Sequence, residues 1–159
     1  MAGSQRGIAR ISGYLPLLRL DRAAASKALS EEECKRLHSQ YRLELSEHID
    51  QCLRQLPQHF PGFRSETLMG DRGWGAAVTR DDLRLESGRR TTLFSRLEIA
   101  VRPYSPLHVL ELTGKGTIHN KEIFNRDQYQ LLADAKLASF KDWIDQWVLE
   151  FAELYARSV

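Results

Sequence analysis

Apolar residues recur at helical spacing towards both ends of this chain and in strand-like alternation between them. That order confines it to an α+β fold in which two amphipathic helices cover one sheet. Ser30 precedes Glu31, Glu32 and Glu33, so a hydroxyl stands at the N-cap and a carboxylate three residues on. Negative charge there also meets the positive end of the helix dipole. Leu37, Tyr41, Leu45, Ile49, Leu53 and Leu56 then share one helical face and Pro57 ends the run, which predicts a helix from about Glu31 to Leu56. Near the C-terminus, Phe140, Trp143, Ile144, Trp147, Phe151 and Tyr155 repeat at intervals of three and four. With Asp127 as N-cap they predict one helix over 128–157, or two with a break near Ser139.

Residues 57–73 carry Pro57, Pro61, Gly62, Gly70 and Gly73 and read as a connection. Strand texture starts at Trp74, turns at Arg80-Asp81-Asp82, and resumes as Leu83-Arg84-Leu85-Glu86 before the Ser87-Gly88 turn. From Leu93 to Val101 the alternation is clear. Leu93, Leu97, Ile99 and Val101 face one side, and Phe94, Arg96, Glu98 and Ala100 the other. His108–Thr113 and Thr117–Phe124 complete an antiparallel meander. The expected fold is therefore α+β, a two-layer sandwich with a four-stranded antiparallel sheet flanked by a long N-terminal and a long C-terminal helix. Residues 1–29 are expected to form a flexible basic arm and residues 30–159 a single α+β domain.

The 159 residues are enough for one core, and the net charge of +2 excludes a highly charged disordered chain. No apolar run approaches the ~18 residues of a membrane span, so no membrane association is expected. Charge is uneven: residues 1–29 hold five bases and one acid, and residues 64–102 hold eight arginines against six acids. The arm's arginines and serines are transit-peptide-like, but Gly7, Gly13 and Pro16 interrupt an amphipathic helix, and its Leu15, Leu17, Leu18 and Leu20 could pack on a partner. Cys34 and Cys52 fall in one predicted helix, roughly 27 Å apart at 1.5 Å per residue, so they cannot form a disulfide. A reducing, cytoplasmic setting fits that cysteine usage.

Chemistry-bearing motifs are few. Gly114-Lys115-Gly116-Thr117 lacks the earlier glycine and the following helix of a phosphate loop, and a turn or bulge accounts for its glycines. The pairs Cys34/His38 and His48/Cys52 are each spaced i, i+4, but they lie about 21 Å apart along the helix. They cannot share an ion, so no metal site and no cofactor is expected. Asp71, Arg72 and Trp74 of the glycine cluster, with His108 and His119 on neighbouring strands, are the candidate ligand-binding residues. Arg84, Phe94, Arg96 and Tyr155 are the candidate interaction surface. Phe94 among the sheet arginines suggests a single-stranded nucleic-acid platform, but interleaved acids and the lack of an RNP-type motif leave that partner without support from a motif.

The function expected is a non-catalytic protein-interaction or binding module that self-associates or meets a protein partner. A small-molecule-binding domain or small enzyme, with a polar site between sheet and helices, is the alternative. A nucleic-acid accessory role through the basic arm and the sheet arginines ranks third.

Overall fold

The computed structural model describes residues 29–159, and but for Leu29 the expected arm lies outside them. The chain divides into two units at Leu37/His38. In the described part of the first, the capping box forms as read. Ser30 Oγ accepts from the Glu33 backbone N–H at 3.0 Å, and Glu33 Oε1 accepts from the Ser30 N–H at 3.0 Å. These bonds and the nearby Arg36 hold the Glu33 carboxyl below its ordinary range. Helix α1, Glu31–Leu53, starts there and runs into the second unit.

The second unit continues with a short helix α2, Gln55–His59, in which Pro57 is tolerated because an N–H in the first turn has no carbonyl within the helix to bond. Five strands follow: β1 Arg64–Leu68, β2 Trp74–Glu86, β3 Arg89–Val101, β4 Val109–Ile118 and β5 Lys121–Leu131. They pair antiparallel in the order β1-β2-β3-β4-β5, and a 3-10 turn, Leu132–Asp134, leads to helix α3, Leu137–Ser158. The class is α+β with an antiparallel sheet and two long helices. The sheet has five strands, not the four expected.

Four local differences have physical causes. β1 was expected to be connection because Arg64-Ser65-Glu66-Thr67 has no apolar alternation; it is an exposed edge strand held by pairing with Gly75–Thr79. Arg80-Asp81-Asp82 is not a turn. It continues β2 opposite Leu93–Ser95, and the Asp82 carboxylate binds side chains instead of closing a local turn. Gly114–Thr117 lies inside β4 and has the expected bulge as a register shift at Gly116/Thr117, but Thr117–Phe124 is not one strand: a turn at His119-Asn120, where φ is 48° and 70°, splits it between β4 and β5. Residues 126–131 are strand, not helix, and α3 begins at Leu137 as one unbroken helix.

Within this unit the helices cover one sheet face. Trp147 of α3 lies over Gly114, and His38 of α1 reaches the Arg102 carbonyl at 3.1 Å. Leu45, Ile49, Phe140, Ile144 and Phe151 meet Leu97, Ile99, Leu110 and Leu112 in a fully buried core, each side chain contributing roughly 1.5–3 kcal/mol of transfer free energy. The helices run side by side in the same direction, with Lys141–Glu44 at 3.1 Å and Asp145–His48 at 2.8 Å in successive turns.

The other face is a lattice of charges. Arg96, 20% exposed at its side chain, donates to Glu66 at 2.7 Å, to Thr79 at 3.0 Å and to Glu98 at 3.3 Å. Burial works against its charge, and the two carboxylates overcome that and raise its pKa. Arg64–Asp81, Lys115–Glu122 and Arg102–Glu111 extend the lattice.

Candidate functional site

The expected ligand residues do not converge. Asp71 and Arg72 are exposed in the turn before β2, and Trp74 opens that strand beneath the Arg42 guanidinium, 4.2 Å from the ring centroid. His108 precedes β4 and packs against Tyr104 at 6.1 Å, whereas His119 follows β4. Ten strand residues separate the two histidines, roughly 35 Å of extended chain, so they occupy opposite ends of the sheet.

The expected interaction residues are dispersed as well. Phe94 and Arg96 lie on the charged face. Arg84 pairs in register with Thr91 near the tip of the β2–β3 hairpin, and alternation puts it on the same side as Asp82 and Leu93, opposite Phe94. Tyr155 is fully buried and its hydroxyl donates to Asp82 Oδ2 at 2.9 Å. Arg80 Nε donates to Asp82 Oδ1 at 2.8 Å, and His119 Nε2 lies 3.5 Å from Oδ2. Burial pushes the Asp82 carboxyl upward, but the bonds from Arg80, Tyr155 and His119 outweigh it and leave the pKa below the ordinary value. The same burial, with Asp82 adjacent, raises the Tyr155 phenol to about 12. This network ties α3 to β2 and to the β4–β5 turn.

The described residues do bring together one cluster of metal-binding types: His48 and Cys52 of α1 with Asp145 of α3. His48 Nε2 lies 2.8 Å from Asp145 Oδ1, Cys52 Sγ donates to the same oxygen at 3.3 Å, and Sγ and Nε2 are 3.6 Å apart. Burial pushes the Cys52 thiol up to about 12, and the neighbouring carboxylate adds to the rise. A nucleophilic thiol needs the opposite shift. The imidazole also turns one nitrogen to both partners, whereas a Cys-His-Asp relay needs the acid on one ring nitrogen and the thiol on the other.

The cluster borders a cleft of about 420 Å³ between the end of α1, α2 and α3. Val148, Leu149, Ala152 and Ala156 form its α3 wall, Leu56 and Phe60 face them, and His59 and Glu153 supply polar groups. The spacing of His48 and Cys52 was legible, but Asp145 was missed. Nothing local to a single acid 93 residues downstream marks it as their neighbour, although its place one turn beyond Lys141 on α3 follows once the helices are paired. No protein-family model, curated protein or solved structure matches the chain.

Proposed function

We propose that this protein is a non-catalytic interaction module that self-associates through the β2–β3 hairpin. The observation that carries the reading is the hairpin's reach. β1 pairs with β2 only up to Thr79, and β4 pairs with β3 only from Arg96 onward. The Asn120 side chain still takes the Thr92 carbonyl at 3.1 Å; beyond it, from Leu83 to Thr91, the two strands pair with each other alone, a ribbon with two open edges. Leu83 and Leu85, 65% and 74% exposed, share one side of it. A two-stranded ribbon is marginally stable by itself in water and gains from added pairing and apolar cover. Its charges are of both signs, Asp81, Asp82 and Glu86 with Arg84, Arg89 and Arg90, which suits contact with a second copy about a two-fold axis. A cytoplasmic setting, from cysteine usage, belongs to the same reading.

The test is sedimentation velocity over a hundredfold concentration range. Wild type is expected to associate with concentration, and the double variant Leu83→Asp, Leu85→Asp to stay monomeric with unfolding stability changed by less than about 0.5 kcal/mol. A wild-type monomer throughout, or a double variant that associates equally well, would refute the proposal.

The cleft favours a second reading, a binding site for a small apolar molecule with one polar end. The nucleic-acid reading loses ground because Arg64, Arg80, Arg84, Arg96 and Arg102 each face a carboxylate within 4.0 Å.

A further inference from the structure

We infer that His48, Cys52 and Asp145 form a three-ligand site for a zinc-class divalent cation at the rim of the cleft between α1 and α3. The donor set is one imidazole nitrogen, one sulfur and one carboxylate oxygen, the mixture that borderline cations such as Zn²⁺ or Co²⁺ accept. Mg²⁺ and Ca²⁺, which take oxygen ligands, do not suit a thiolate.

Geometry carries the argument further. A tetrahedral ion with bonds of about 2.0–2.3 Å places its ligand atoms about 3.3–3.7 Å apart. Here sulfur and nitrogen are 3.6 Å apart and sulfur and oxygen 3.3 Å, so two edges of the tetrahedron already stand. The nitrogen–oxygen edge, at 2.8 Å, needs to open by about half an ångström. Asp145 can supply that by rotating, because its side chain is 56% exposed.

The helices hold the ligands in place. His48 and Cys52 sit one turn apart on the same face of α1. The Lys141–Glu44 pair, a turn earlier on both helices, fixes α3 beside them. An incoming cation displaces the Cys52 Sγ proton to solvent, and thiolate and carboxylate together then balance its two positive charges. Three protein ligands leave the fourth tetrahedral position for water or a donor atom from the cleft, which shares Cys52 and Asp145 with the site.

The test titrates the full chain with Co²⁺ alone and reads the thiolate-to-cobalt charge-transfer band in the near ultraviolet, then displaces Co²⁺ with Zn²⁺. The expected result is one tetrahedral Co²⁺ per chain, with the band abolished in Cys52→Ser and retained in Cys34→Ser. Asp145→Asn, a surface change that spares the fold, is expected to weaken binding at least tenfold, judged against the ~10–100-fold cost of losing a group that merely supports a ligand. Absence of the band in wild type, or its persistence in Cys52→Ser, overturns the proposal. So does unchanged affinity in Asp145→Asn, the signature of adventitious chelation by His48 and Cys52 on one helix. Circular dichroism checks each variant, and if Cys52→Ser does not fold, Asp145→Asn decides.

Discussion

Tyr155 shows how one hydroxyl fixes the place of an aromatic side chain. Its ring joins Phe60 and Phe63 at centroid distances of 5.1 and 4.9 Å, edge-on to both, so its apolar body is consumed by the core. Its oxygen meets the one carboxylate on that side of β2 that Arg80 already neutralises. Tyr155→Phe keeps the packing and leaves Asp82 short of a donor, so it is expected to lower unfolding stability by about 1–2 kcal/mol in chemical denaturation. A loss under a few tenths of a kcal/mol would mean that Arg80 and His119 satisfy Asp82 without help. The sequence pattern marks Tyr155 as one end of an aromatic stripe but does not reveal its partner. In the sequence Asp82 reads as part of a turn, and only the strand register brings it beneath the last turn of α3.

At the level of elements, the contact between β4 and α3 depends on what Gly114 lacks. A Cβ at that position would stand 2.5 Å from Trp147 Cε3, too close for either the strand or the indole to keep its place. Gly114→Ala is therefore expected to cost about 1–3 kcal/mol. Thermal unfolding checks it, and an unchanged midpoint would show that α3 can lift without penalty. The same glycine was legible as a backbone signal only, because strand, turn and loop all accommodate it and the indole that requires it comes 33 residues later. Elements with strong local marks were readable. The α1 start carries its capping box, and β3 alternates from Ser95 to Ile99. The start of α3 was not readable, since Lys136 at the N-cap makes no side-chain cap bond and Gln130 from β5 takes its backbone N–H at 2.7 Å. The candidate metal site was half readable for the same reason: α1 carries two ligands at helical spacing, and the third depends on how two distant helices pair.

Across the whole molecule, buried titratable groups bound the pH range in which the fold is most stable. Burial lowers the His38 pKa beneath 6.5, so the native state binds fewer protons than the unfolded chain, and stability falls as pH drops below 6.5. Cys52 and Tyr155 are raised from 9.0 and 10.0 to about 12, so the native state holds protons that the unfolded chain releases. Stability is then lost as pH climbs from 9 towards 12. Chemical denaturation with a chelator present is expected to give a plateau between these limits. Tyr155→Phe should make the alkaline decline shallower; an identical decline in the variant would assign it to other groups.

The meander has a consequence for how the chain folds and yields to force. Every strand pairs with its neighbour in sequence, so the sheet can grow hairpin by hairpin with short loops to close. The pairing of α1 with α3 joins residues 97 apart, as in Lys141–Glu44 and Asp145–His48, and must wait for both chain ends to arrive. Folding should therefore proceed from the middle outward, with helix docking last. Pulled from its termini, the chain should give way in the opposite order, the helices peeling from the sheet before the strands unzip.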